Sequence, residues 1–372
     1  MAGIYIHIPF CKSKCRYCDF TSYPSKLAFA DAYMACVYKE MKLRAKDLSD
    51  KSFDTVYIGG GTPSVIDGKY IAGCMNQIRK LYKLSANAEI TVEINPGTLT
   101  KEKAEAYKRA GINRFSIGLQ SSSDVLLEEI GRAHNAAQYL ETCEMLGDAN
   151  KSADIMIGLK GQTVSDVLGS IDFALRGGVR HVSVYALTPE DGTPVYSDYL
   201  NGELPDGDEV AAMYDAARGC LKERGFARYE VSNFAVPGFE SRHNLNYWRR
   251  GEYIGFGVSA SSFMGGRRFT NTPDLDEYIK CILTDFYPVV DNEKIEGEDA
   301  KFEYVMLALR TEKGLSAEDY SAAFGSDFFK DFSKPLERQK NYLAFENGYV
   351  RIREEYLYVQ NTVIIDFLQQ QQ

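Results

Sequence analysis

Six times before residue 225, a short β-rich run is followed by a longer helical pattern. Runs near 3–9, 54–59, 88–94, 113–119, 152–158 and 180–186, rich in Ile, Val and Tyr, read as strands. Helical patterns near 27–48, 67–84, 100–110, 135–147, 163–176 and 207–224 alternate with them. Parallel neighbours need a long crossover, usually a helix, so this alternation implies a parallel sheet with right-handed connections. Each strand runs into a distinctive loop. The first loop carries cysteines. The next five contain Gly59-Gly60-Gly61-Thr62-Pro63, Glu93-Ile94-Asn95-Pro96, Gln120-Ser121, Gly158 and Thr188-Pro189. Ligand-type residues at the C-terminal ends of successive strands are the habit of a β/α barrel, whereas a doubly wound sheet gathers them at one switch point. The expectation is an α/β chain with a partial (β/α)6 barrel.

After Gly225 the rhythm changes. Segments 229–235 and 254–264 read as strands that extend the sheet. Beyond about Pro273 the chain reads as helical, with helices near 298–310, 316–323 and 328–343, then an alternating 348–360 in the manner of a hairpin. The expected division is a barrel with its sheet extension over 1–270 and a small accessory domain over 271–372, mainly helical and winged-helix-like. The run of glutamines at 369–372 reads as a frayed, low-complexity tail.

A formal net charge of −9 argues against broad nucleic-acid binding, which needs a basic footprint. Strand one begins almost at once, leaving no room for a signal peptide, and no apolar run approaches the roughly 18 residues of a membrane span. Peripheral membrane contact stays open. The expected location is cytoplasmic.

Cys11, Cys15 and Cys18 form the spacing C-x3-C-x2-C. Three thiolates this close can grip one soft metal centre. A [4Fe–4S] cluster takes four thiolates for full ligation, so three leave one iron open. A zinc knuckle would want a second ligand pair downstream, and a disulfide framework a small secreted chain. Cys36, Cys74, Cys143, Cys220 and Cys281 are isolated and read as packing residues. The three-cysteine loop resembles that of the radical S-adenosylmethionine (SAM) enzymes. There the open iron chelates the amino and carboxylate groups of SAM, and reductive homolysis gives a 5′-deoxyadenosyl radical.

Other loops offer complementary chemistry. The Gly59–Gly61 turn lets backbone groups approach a ligand closely, a candidate for the SAM ammonium. Glu93 could accept hydrogen bonds from ribose hydroxyls; the competing reading is a structural ion pair. Gln120 and Arg132 follow the fourth strand, and a guanidinium pairs bidentately with a carboxylate. His243-Asn244-Leu245-Asn246-Tyr247-Trp248 holds one of four histidines and the single tryptophan. An imidazole beside aromatic rings can ligate haem iron; the alternative is a packed aromatic corner with a hydrogen-bonded histidine.

Taken together, these segments resemble the oxygen-independent coproporphyrinogen III oxidase-like radical SAM family, and within it the branch of HemW-type haem chaperones. The resemblance rests on Tyr5-Ile6-His7-Ile8-Pro9-Phe10-Cys11, the cysteine spacing, and segments 59–64, 93–97, 116–121, 132–134, 154–158, 188–193, 229–235 and 241–248. It implies a [4Fe–4S] cluster, SAM and haem as cargo. Tyr5, Gly60 and Glu93 would face the SAM on the cluster. Tyr17, Gly61, Thr62, Gln120, Arg132, Asp154 and Ala186 match positions lining the nucleotide region, which holds a second SAM in the oxidases. Phe20 stands where the oxidases carry a further cysteine, and strand one starts at Gly3 where they have a longer N-terminal cover. His243 to Trp248 matches a mark of the chaperone branch, implicated in haem binding. Lys160 departs from the proline frequent after Gly-Leu. The implied function is delivery of haem to respiratory haemoproteins, with recipient haemoproteins and a low-potential electron donor such as flavodoxin or ferredoxin as partners. The rival is radical oxidative decarboxylation of coproporphyrinogen III.

Overall fold

The structure, a computed structural model, describes residues 2–368; the 369–372 tail lies outside the described residues. Six strands form in the expected places: β1 (Ala2–Ile8), β2 (Ser52–Gly60), β3 (Lys83–Ile94), β4 (Arg114–Gln120), β5 (Asn150–Ile157) and β6 (His181–Ala186). They pair in parallel and strictly in chain order. An order that never reverses sends every crossover the same way and keeps the helices on one face, so the sheet curls as a partial barrel.

The crossover helices are α1 (Ala30–Arg44), α2 (Gly68–Leu81) and α3 (Lys101–Arg109), then α4 (Asp124–Glu129), α5 (Ala136–Leu146) and α6 (Val164–Arg176), and after β6 α7 (Pro194–Leu200) and α8 (Gly207–Glu223). Reciprocal side-chain–backbone caps fix three of these starts: Asn135 with Gln138, Thr163 with Asp166, and Asp206 with Glu209. Cys36, Cys74, Cys143 and Cys220 are buried in the core between helices and sheet, while Cys281 is partly exposed.

The sheet grows beyond the barrel at both edges. Outside β6 lie β8 (Asn233–Ala235) and β7 (Ala227–Arg228), both in antiparallel pairings. After α9 (Arg242–Trp248), β9 (Glu252–Phe256) pairs in parallel with the free edge of β1, and β10 (Ser261–Met264) and β11 (Arg267–Asn271) follow antiparallel. The expected continuous strand at 254–264 is broken because Gly257 and Ser259 take φ of 101° and 58°.

The reading of the chain beyond Pro273 as helical needs correction. α10 (Leu275–Leu283) is followed by β12 (Val289–Lys294), which pairs with β11 as the outermost strand. β12 is mostly exposed and polar, so it shows no hydrophobic alternation to read. Leu275, Tyr278 and Ile282 of α10 belong to the barrel core, on the far side of the 270/271 division expected from sequence. A separate core, including Val305, Tyr320, Phe328, Val350 and Phe367, lies among α11 (Gly297–Ala308), α12 (Ala317–Phe324), α13 (Phe328–Asp331), α14 (Ser333–Gln339) and α15 (Gln360–Leu368). Here β13 (Leu315–Ser316), β14 (Leu343–Glu346) and β15 (Tyr349–Ile352) form a three-stranded sheet with β15 central. The hairpin lies earlier than the expected 348–360. It turns on Asn347-Gly348, with φ of 50° and 80°, the dipeptide that favours a tight hairpin turn.

Candidate functional site

The loop after β1 is held from several sides. Pro9 and Phe10 are buried, and Gly61 N–H donates to the Ile8 carbonyl at 2.8 Å, tying the loop to the end of β2. Arg16 is the second anchor. Its guanidinium pairs with Glu129 at the end of α4 (2.6 Å) and with Asp198 on α7 (2.8 Å). Its backbone N–H donates to the Ile130 carbonyl and its carbonyl accepts from Val195 N–H. Two short helices that the βα rhythm does not announce therefore clamp the cysteine loop.

Cys11, Cys15 and Cys18 line a cavity of about 490 Å³ at the C-terminal ends of the strands. Tyr17, Gly60, Gly61, Glu93, Gln120, Arg132, Asp154 and Ala186 line the same cavity. The Thr62 hydroxyl donates to Cys11 Sγ at 3.5 Å, and Arg132 Nη1 to Cys15 Sγ at 3.7 Å. Arg132 also donates to Asn95 Oδ1 and the Gly118 carbonyl, and Asn95 donates to Thr62, so one network joins both sulfurs. Burial pushes the Cys11 and Cys18 thiols up, and binding a metal must drive their protons off. Among the described residues, no three His, Cys, Asp or Glu side chains gather as tightly as a single ion requires. The three thiols are instead distributed around one cavity, alongside donors that suit thiolate sulfur.

Glu93 is held by neutral donors rather than by an ion pair. Tyr57 O–H donates to Oε1 at 2.7 Å and Gly60 N–H to Oε2 at 3.2 Å. Burial pushes its carboxyl up to about 7, against the lowering effect of the Tyr57 hydrogen bond. Asp154 is likewise raised by burial, opposed by hydroxyls of Ser183 (2.8 Å) and Ser116 (3.1 Å). The glycine turn is sterically required. A Cβ on Gly60, at φ 113°, would fall 2.6 Å from the His7 ring, and one on Gly61 would fall 2.9 Å from the Phe10 carbonyl and 3.0 Å from Cys11 Sγ. Gln120 has φ 68° beside a register shift in the β4–β5 pairing, which turns the end of β4 at the cavity wall.

Three expected site residues fall elsewhere. Thr62 stands behind the cysteine loop, bonded to Cys11. Tyr5 lines a second cavity, of about 660 Å³, which shares Asp19, Phe20, Gly60 and Glu93 with the first. His243 fits the alternative reading of its segment, a packed aromatic corner with a hydrogen-bonded histidine. It is 1% exposed, its Nδ1 engages the Thr55 hydroxyl at 2.8 Å, and its Nε2 engages the Tyr247 hydroxyl at 2.8 Å. Its ring stacks on Tyr57, with centroids 5.2 Å apart, and burial lowers its pKa to about 3. Both ring nitrogens are used inside the protein, so His243 offers none to an external iron. Of residues 241–248, Ser241 and Asn244 reach the first cavity and Tyr247 the second.

Sequence reasoning passed over Tyr57, Ser116, Ser183 and Tyr185 in the first cavity as site residues. A period of two along each strand carries the signal for them: Tyr57 stands two before Gly59, Ser116 four before Gln120, and Ser183 and Tyr185 alternate on β6. The second cavity carried no sequence signal, because its walls come from β1, β10 and α11, far apart in the chain.

Residues 5–174 match the Radical SAM superfamily, and residues 295–359 match the HemN C-terminal domain. The chain is 36% identical over 331 residues to the heme chaperone HemW of Bacillus subtilis (strain 168), covering 87% of each protein. The chain belongs to the HemW family. The HemW protein of Escherichia coli (strain K12) is 33% identical over 330 residues, covering 87% of this chain and 86% of that one. Among solved structures, coproporphyrinogen III oxidase (HemN) from Escherichia coli superposes with a TM-score of 0.86 over 98% of this chain and 89% of that chain. At 18% identity that likeness speaks for the fold, a radical SAM α/β architecture with a helical C-terminal region. Among the described residues, no helix of this HemW-family chain is long and apolar enough to cross a membrane.

Proposed function

We propose that this protein is a haem chaperone built on a radical SAM core, which binds haem and hands it to respiratory haemoproteins. The reading is supported by membership of the HemW family and by one geometric observation. Three free thiols, two of them receiving hydrogen bonds from Thr62 and Arg132, line the same cavity as Glu93 and the glycine turn. Cys11, Cys15 and Cys18 would hold a [4Fe–4S] cluster. When bound, a cluster with one open iron supplies single-electron chemistry to SAM. The chain's own part is to hold and orient. Arg132 braces the cysteine loop against Asn95 and Gly118, the Gly60–Gly61 backbone lets a ligand approach, and Glu93 offers a carboxyl on the cavity wall. Tyr17, Gln120, Asp154 and Ala186 complete the wall around the nucleotide. Function in the cytoplasm, with a flavodoxin- or ferredoxin-type donor and peripheral approach to membrane-bound recipients, fits this role.

The test is a single anaerobically reconstituted sample. Hemin titration should give saturable binding, and reduced, SAM-loaded protein should leave coproporphyrinogen III unchanged. Formation of protoporphyrinogen over many turnovers would replace this reading with the oxidase one.

A further inference from the structure

The second cavity differs from the first in holding no thiol and in drawing one wall from α11. Its walls carry Tyr5, Tyr247, Tyr253, Phe263, Met306 and Leu307, and at one side stand two arginines facing one acid. At about 660 Å³ it falls in the range of roughly 300–1,000 Å³ usual for small-molecule sites. The aromatic wall is set by register. Phe263 of β10 pairs with Tyr253 of β9, whose ring meets Tyr247 edge-on with centroids 4.6 Å apart. The opposite wall is α11, where Glu303, Met306 and Leu307 share one face by the i, i+3, i+4 rule.

The charges do not balance. Arg250 Nε donates to Glu303 Oε2 at 2.6 Å, and Arg268 Nη2 donates to Glu303 Oε1. Both guanidinium carbons lie over the Phe263 ring, 4.7 and 5.6 Å from its centroid. Glu303 is 8% exposed, and its two oxygens are each taken by one arginine, leaving one surplus positive charge. Arg250 adopts φ 54°, unusual for a residue with a side chain, where the chain turns from α9 into β9. The arginine side chains remain 16% and 37% exposed, so this charge faces the cavity and solvent. The other acids on the walls, Glu93 and Asp19, lie where the cavity meets the first one.

We propose that the second cavity is the cargo site, taking a flat tetrapyrrole between the aromatic wall and Met306–Leu307, with its carboxylates on Arg250 and Arg268. An apolar disc with an acidic edge matches this division of surface, and planar guanidinium groups suit carboxylates. The proposal rests on the haem-chaperone reading. It separates cargo from the cysteine cavity and replaces His243 with a site whose specificity comes from the acidic edge.

The test titrates hemin and hemin dimethyl ester, which lacks the free carboxylates, into the reconstituted full-length protein and two variants. Arg268→Gln should weaken hemin binding about tenfold while leaving the weaker ester binding unchanged. Glu303→Gln breaks the same bridge from its other side, yet should bind hemin as tightly as the parent or more tightly, since it frees positive charge. If the bridge only fastens α11 to the sheet, both variants weaken hemin and ester alike, and the proposal is overturned. Unchanged hemin affinity in Arg268→Gln also overturns it, while leaving the chaperone reading standing. Failure of the parent protein to bind hemin at all removes the chaperone reading itself.

Discussion

Glu93 carries the most legible pH signature in the molecule. Its folded-state carboxyl sits at about 7, raised by burial above the ordinary value of 4.5. Between those values the folded state binds more protons than the unfolded one, so this group's contribution is fully present below about 4.5 and is lost as pH rises through about 7. Denaturant midpoints of the cofactor-free protein should therefore show a fall in stability over that window, on the order of 3 kcal/mol at most, that Glu93→Gln removes. A parallel fall in the variant would assign it to other groups. The cysteines give a second test. Cys11→Ala, Cys15→Ala or Cys18→Ala should each abolish the ~400 nm cluster absorbance after anaerobic reconstitution, whereas Cys36→Ala should keep it. Full cluster content in any of the first three would remove that residue as a ligand. At this scale the sequence spoke clearly where chemistry is local, as in the cysteine spacing. It left His243 open between ligand and packed corner, since a histidine's availability depends on Thr55 and Tyr247 taking its two nitrogens, and Thr55 lies 188 residues away.

Among the elements, the Gly59–Gly61 turn has the least freedom. Gly60→Ala adds a Cβ at φ 113°, 2.6 Å from the His7 ring, and should cost about 1–3 kcal/mol in chemical denaturation. Gly61→Ala presses instead on Phe10 and Cys11, so its first effect should be reduced cluster content after reconstitution. Equal cluster yields in Gly61→Ala and the parent would show that the loop tolerates the displacement. The six strands were readable as short runs carrying Ile, Val, Phe or Tyr and followed by turn residues; β4, buried along its whole length, alternates Phe115, Ile117 and Leu119 with small or polar residues. α4 and α7 were not, being 6 and 7 residues long with no periodicity to detect. β12 escaped for the reason edge strands do: exposed and polar, it looks like loop.

For the whole molecule, the decisive feature is two adjoining cavities, one bearing the three thiols, the other walled by α11 with Met306, Leu307 and the Arg250–Glu303–Arg268 bridge. Phe20, 61% exposed, lines both. The barrel was legible from its rhythm, but its partition into two cavities was not, because α11 comes to line one cavity with β1, β9 and β10 only through the fold. The most direct test of the account is haem transfer. Full-length, cluster-reconstituted protein loaded with one equivalent of haem is mixed with membranes bearing a haem-free respiratory enzyme. The account predicts that the protein's haem spectrum declines as the recipient's haem spectrum and activity appear in step. Haem that stays on the protein, while the same membranes accept free hemin, would contradict it.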